Sequence, residues 1–337
     1  TANFPFLAIN IYHRDTDQRV PYAQPSTMIR RKGVNIGIIG AISNVYSSIS
    51  SSNVKNIKFL TGSTLTNLVL DEANKLRQDG ADFIIYSIHG GEGTAPDSLT
   101  ASAVDLVFEG HSHSNYVNMD SNGVYHLQTS GLGLGIAAAK VHFNLDYDTY
   151  SIDAGIYDSS DYLYGDEDPT FKSIYQWFEN NQIAEIRDEV LTTNLGYTGP
   201  STFADLVVQR YYEDFKAQAL AGGYNVILAG GSVTSRNYAT HYGGPITYGD
   251  VYGMFPFDNY IAVASTTGAN LKSRFINSSY RTYPNDINTA SIVDSATYYI
   301  ICDSWTFDYA PANVTKVMDF DEVHYTRDVL ANYLRTL

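Results

Sequence analysis

Apolar residues in this chain fall into short runs separated by stretches of helical spacing. The runs 34–42, 83–88 and 104–108 have the length and the β-branched or aromatic content of buried strands. Between the first two, Leu65, Leu68, Leu70, Ala73 and Leu76 recur near the helical period, which predicts a helix over 64–78 stopped by Gly80. A further short helix near 98–103 makes the strand–helix alternation of an α/β fold. Residues 4–12 read as another strand. Pro21, Pro25 and the pair Arg30-Arg31 read as a loop leading into 34–42. The runs 124–129 and 137–145 predict antiparallel strands closing this sheet, with Gly131, Gly133 and Gly135 in a flexible turn between them.

Over 146–168 the chain turns acidic and tyrosine-rich, with Asp158, Asp161, Asp166 and Asp168, and this marks a domain boundary. The organisation expected is a first α/β domain over 1–150, an acidic linker and connecting helix (171–186) over 151–195, and a second α/β domain over 196–337. In the second domain Thr202 and Asp205 have capping-box spacing for a helix over 203–221. A strand at 226–228 ends on Gly230-Gly231, and a terminal helix is expected near 321–337.

Charge narrows the partners. A formal net charge of −15 argues against polymeric nucleic acid and anionic lipid. A small phosphate ester stays open, because bound divalent metal inverts the local field. The single cysteine, Cys302, excludes an intrachain disulfide, and no apolar run is long enough for a transmembrane helix.

Candidate chemistry gathers where two predicted strands end. Ser87-Ile88-His89-Gly90 closes the first and Gly110-His111-Ser112-His113 follows the second. Ligands of open α/β sheets collect beyond the carboxyl ends of strands, and three imidazoles there suit zinc, manganese or iron. A lone histidine after a strand is commonly an ordinary turn residue. In Gly-His-Ser-His the glycine lets the chain turn tightly and brings two imidazoles together.

This pattern resembles the C-terminal half of the calcineurin-like metallophosphoesterase core found in 5′-nucleotidases and related two-domain nucleotide hydrolases. That family carries Asp-x-His, Gly-Asp, Gly-Asn-His-Glu/Asp, a lone His after a strand, and Gly-His-x-His, in that order. His89 matches the lone His, and His111 with His113 match the last motif. The likeness begins at Asn3, in the segment that follows the third motif. The resemblance implies that 1–150 is the C-terminal part of an α+β four-layer sandwich. It also implies two divalent ions, one held by His89 and His111 and the other by His113. Catalytic groups are then expected upstream of Thr1, and a missing segment or a second polypeptide is expected to complete the first domain. Without it, strands 34–42 and 83–88 are expected to show unpaired edges. Glu92 and Glu109 are expected as outer or surface groups rather than ligands.

The second half resembles the 5′-nucleotidase C-terminal domain. The matching stretches are Asn225 to Thr234, Gly244-Pro245-Ile246-Thr247-Tyr248-Gly249-Asp250, Phe255-Pro256-Phe257-Asp258-Asn259 and Thr267-Gly268-Ala269-Asn270-Leu271-Lys272. By this likeness Phe257 is one face of an aromatic clamp on a nucleobase, with Tyr309 as the second ring and Phe307 as its substitute. Gly230 and Gly231 are the family's strand-end glycines at the substrate. Ala229 stands at the family's asparagine and Thr234 at its arginine, leaving Arg236 as a shifted replacement. The function implied is a metal-dependent phosphoester hydrolase for nucleotides or related small phosphate esters, outside the cytoplasm (extracellular, periplasmic or cell-surface). The rival reading is a non-catalytic nucleotide- or ligand-binding protein that keeps the fold without hydrolysis.

Overall fold

The structure, a computed structural model, describes residues 3–337 apart from 50, 92–94, 96, 101–102, 148, 159–166, 237–239 and 309–312. Its contacts divide the chain into two units, 1–45 with 54–166 and 46–53 with 167–337.

In the first unit a short ladder joins β1 (Ile11–His13) to β4 (Ile57–Phe59), antiparallel. Residues 4–10 form no strand. Leu7 makes only an isolated bridge to Gln24, and its backbone crosses Gly40 so closely that a Cβ there would lie 2.6 Å from the Leu7 carbonyl oxygen. The main sheet contains β2 (Ser26–Arg31), β3 (Val34–Ile42), β5 (Phe83–His89), β6 (Leu106–Glu109), β7 (Tyr116–Met119) and β8 (Tyr125–Gln128) in the order β2-β3-β5-β6-β8-β7. Its four middle strands, β3, β5, β6 and β8, are parallel neighbours. The segment read as a loop before 34–42 is therefore a strand. Lys32 and Gly33, at φ +50° and +92°, make the primed turn that suits a tight hairpin. That hairpin also overturns the expected unpaired edges. Both 34–42 and 83–88 are paired on each side.

One face of this sheet is covered by α2 (Gly62–Gln78) and the short α3 (Asp97–Thr100). Leu65, Val69, Ala73 and Leu76 of α2 pack on Ile39, Ile84, Tyr86 and Ile88. On the other face, Phe83, Leu106 and Leu127 meet Ala137, Ala139, Val141, Phe143 and Ile152 of a separate hairpin, β9 (Gly135–Asn144) with β10 (Thr149–Asp158). Segments 124–129 and 137–145 thus do not pair with each other. β8 runs parallel to β6, and β9 takes as partner a strand from the acidic stretch that read as linker.

The second unit begins with α4 (Pro169–Phe178), capped by Asp168. A π-helical turn at Glu179–Ile183 separates it from α5 (Ala184–Arg187), so 171–186 is not one helix. The strand β11 (Val190–Leu195) pairs with β13 (Gly244–Thr247). A five-stranded sheet is built from β12 (Val226–Gly231), β14 (Ile261–Thr267), β15 (Arg281–Tyr283), β16 (Thr297–Asp303) and β17 (Thr315–Asp319), in the order β15-β12-β16-β14-β17. Against it lie α6 (Pro200–Ala221) and α10 (Thr326–Leu334), where Phe203, Val207, Tyr211 and Leu330 join one core. Leu271, Phe275 and Ile292 join Leu228 and Ile300 in another.

The capping box expected at Thr202 and Asp205 does not form. α6 starts earlier, with Pro200 in its first turn behind Gly199, and Asp205 pairs with Arg281 at 3.2 Å. A capping box does start α7 (Tyr248–Met254), where Thr247 and Asp250 exchange bonds.

Candidate functional site

The parallel order of β5 and β6 brings two of the three histidines together. His111 Nδ1 lies 3.2 Å from His89 Nε2. Gly110 makes this approach possible, since a Cβ there would stand 3.3 Å from His89 Nδ1. His111 and His113 both have left-handed backbone, φ +79° and +56°, so the turn reverses sharply. The His113 ring lies over Gly131, where a Cβ would come within 2.5 Å of its Nδ1. Burial lowers the His89 pKa, and the charges of His111 and His113 lower it further. His89 is therefore held neutral, the form that ligates metal.

Two nitrogens at about 2.0–2.1 Å from a tetrahedral ion stand roughly 3.3 Å apart. The His89–His111 spacing fits a pair of ligands on one ion. His113 is close enough to act on His89 by charge, and no group of three or more metal-ligating side chains gathers among the described residues. Replacing His111 by alanine is expected to lower bound zinc or manganese at least several-fold. His142→Ala, on the exposed face of β9 beside Asp153, should leave it unchanged. Metal analysis of dialysed protein checks this, and equal loading of both variants removes His111 from the ligands.

Glu109, read from sequence as an outer or surface group, is buried behind this turn. Its Oε2 accepts from the Tyr116 hydroxyl at 2.7 Å and lies 3.3 Å from His126 Nδ1. Asp120 Oδ2 stands 3.5 Å from the other ring nitrogen. Glu92 lies outside the described residues.

In the second unit, β12 delivers Ser232–Arg236 to the rim of a cavity of ≈250 Å³, whose wall includes Phe257, Asn259, Asp303 and Trp305. Phe257 follows α7 and is 38% exposed, and the Arg236 guanidinium lies 4.7 Å from its ring centroid. Asp303 ends β16 fully buried. Burial pushes its carboxyl pKa up, which hydrogen bonds from the Thr306 amide (3.1 Å) and hydroxyl (2.5 Å) offset only in part.

Gly230 and Gly231 sit within β12. There they let other groups approach, because a Cβ would meet Arg281 O at 2.6 Å or Thr306 Oγ1 at 2.3 Å. Tyr309 lies outside the described residues. Phe307 packs edge-on against Tyr260 at 5.7 Å, with the apolar cluster of Leu271 and Phe275. Phe255 and Trp305 line the cavity beside Phe257, and of these motif matching passed over Trp305. Its signal was position alone, two residues beyond a strand that ends on a buried aspartate.

Comparison with known proteins follows this division. Residues 182–309 match the family model of the 5′-nucleotidase C-terminal domain. Endonuclease YhcR of Bacillus subtilis (strain 168) is 24% identical over 289 residues, covering 80% of this chain and 22% of that protein. Protein UshA of Yersinia enterocolitica is 24% identical over 325 residues, covering 80% of this chain and 57% of that protein. The chain thus spans less than two thirds of these relatives. Among solved structures, a putative 5′-nucleotidase from Staphylococcus aureus in complex with alpha-ketoglutarate superposes with TM-score 0.71 at 16% identity, over 98% of this chain and 75% of that one. The two share a fold.

Proposed function

Because residues 182–309 belong to the 5′-nucleotidase C-terminal domain family, we propose that this protein binds nucleotides or related small phosphate esters through its second unit. We further propose that it takes part in their metal-dependent hydrolysis. The observation that carries this reading is the Phe257 ring, exposed on a cavity with a guanidinium over its face. A nucleobase stacks on such a ring, and Arg236 supplies the positive charge that a phosphate ester needs. Phe255 and Trp305 also line the cavity; Trp305 is our choice for the second face of the clamp, with Tyr309 the alternative from the family pattern.

In the first unit, His89 and His111 would hold one divalent ion of the zinc, manganese or iron type, and His113 would serve a second. Bound metal polarises a phosphoryl group and lowers the pKa of bound water. The imidazoles of this chain are the groups that would hold the metal there, with His89 kept neutral by burial. We place the protein outside the cytoplasm. Among the described residues, no helix is long and apolar enough to cross a membrane.

Calorimetric titration with adenosine 5′-monophosphate tests the reading. Phe257→Ala should weaken binding by about 10- to 100-fold, the worth of one stacked base. Unchanged affinity removes Phe257 from the site. Binding without hydrolysis is the second reading, favoured by Thr234 at the position of the family's arginine. Release of phosphate in the presence of zinc or manganese separates the two.

A further inference from the structure

Phe257 follows α7 on backbone that belongs to neither helix nor strand, and more than a third of the residue is exposed. Packing therefore holds only part of it. The rest of its support comes from the first turn of α10. Arg327 donates from Nη1 to the Phe257 carbonyl oxygen at 3.0 Å and from Nη2 to Asp258 Oδ1 at 2.7 Å. One residue earlier, the Thr326 amide and hydroxyl both reach the Asn259 carbonyl oxygen, at 2.8 and 3.2 Å. The Thr326 hydroxyl also lies 2.6 Å from that of the buried Tyr211, which ties this turn to α6.

The Arg327 side chain is itself held still. It is only 9% exposed, and its guanidinium carbon lies 4.8 Å from the Tyr252 ring centroid and 4.7 Å from that of Tyr325. Two rings and two fixed acceptors leave the planar fork little freedom. Such a fork can hold a carbonyl and a carboxylate at once, which a single ammonium does less well. The cavity wall includes Phe257, Asn259 and Thr326 but not Arg327. Arg236 lies over the Phe257 ring, while Arg327 grips the backbone that carries it.

From this geometry we infer that Arg327 is a positioning residue of the second-unit site. It fixes the Phe257 ring for stacking, and so sets how strongly the site prefers a nucleotide over a phosphate ester without a base. The inference rests on the stacking role proposed for Phe257.

The test titrates the 337-residue chain with adenosine 5′-monophosphate and with ribose 5-phosphate, by calorimetry without added metal. The parent should bind the nucleotide about 10- to 100-fold more tightly, the worth of one stacked base, and Phe257→Ala should abolish that preference. Arg327→Met keeps an apolar stem between the two tyrosines and removes both bonds. It should weaken nucleotide binding by about three- to tenfold, a part of the stacking contribution, and leave ribose 5-phosphate binding within about twofold. A general loosening of the domain would weaken both ligands alike. If Arg327→Met fails to fold, Asp258→Ala removes one acceptor of the fork and should give the same split at about two- to fivefold. Unchanged nucleotide affinity in the folded variant, or equal loss for both ligands, overturns the proposal while the stacking of Phe257 stands. A parent that binds both ligands alike, with no change in Phe257→Ala, overturns the stacking itself and this proposal with it.

Discussion

Glu109→Ala is expected to cost about 3–5 kcal/mol of stability at pH 6, as breaking one side of a buried ion pair does, and clearly less at pH 9. His126 lies between two carboxylates, those of Glu109 and Asp120, and its side chain is only 12% exposed. The hydrogen bond to Glu109 raises its pKa. Burial opposes this, and the charges of both carboxylates add to the rise. Asp120 moves the other way. Burial pushes its carboxyl up, but bonds from the Thr100 side chain and the Val124 and Asn122 amides outweigh it and leave the pKa lowered.

The sign follows from linkage. A histidine whose folded pKa exceeds its unfolded value of about 6.5 contributes fully below that value. Its contribution is lost as pH rises through the folded pKa. At pH 6 the alanine variant leaves a buried imidazolium with Asp120 as its remaining partner. As pH rises through the folded pKa the ring gives up its charge, and the loss shrinks to the bonds that uncharged partners make with Glu109 and the emptied volume. Denaturant unfolding of both proteins at the two pH values measures the difference. An equal loss at pH 6 and pH 9 would show that the His126 charge plays no part.

Much of the fold could be read along the chain, wherever one element decides its own state. The helix α2 has buried Leu65, Val69, Ala73 and Leu76 at helical spacing, and β3 and β5 are nearly continuous apolar runs. Elements whose state depends on a partner were not legible. β2 is an edge strand, half polar, recognisable only through its Lys32-Gly33 turn. The sequence of β10 looks acidic and solvated because only part of it packs, with Ile152 and Ala154 on the sheet.

The candidate sites divide in the same way. His89 and His111 meet because one ends a strand and the other closely follows its parallel neighbour, and glycine at 110 leaves room. The bonding of Glu109 to His126 depends on β8 lying beside β6, which no local spacing reveals. At the second-unit cavity, Phe257 was named from its motif and stands in the wall. Trp305 was not, because its place depends on how the short α9 (Ser304–Asp308) leaves β16.

Gly268→Ala should destabilise the second unit by on the order of 3 kcal/mol, the upper end for forced overpacking. Gly268 opens α8 (Gly268–Asn270) directly after β14, with Thr267 as its cap. A Cβ there would lie 2.0 Å from the Val293 carbonyl oxygen and 2.8 Å from its carbon, both backbone atoms. Neither side can yield cheaply. Gly268 N donates to Ala296 O at 2.9 Å and Ala269 N to Asp294 O at 3.0 Å, so the two segments are pinned together at the point of collision. Relief would have to break those bonds or draw Ile292 out of the core it shares with Leu271 and Phe275. The glycine of the Thr-Gly-x-x-Leu-Lys stretch is thus required by packing, with no ligand needed to explain it. Gly253 supplies the contrast. It lies within α7, and nothing stands within 4 Å of its would-be Cβ. Gly253→Ala should therefore stabilise by about 0.4–1 kcal/mol through the unfolded chain. Thermal unfolding of the two variants should move in opposite directions, and a Gly268→Ala protein as stable as the parent would mean that the 292–296 segment gives way without cost.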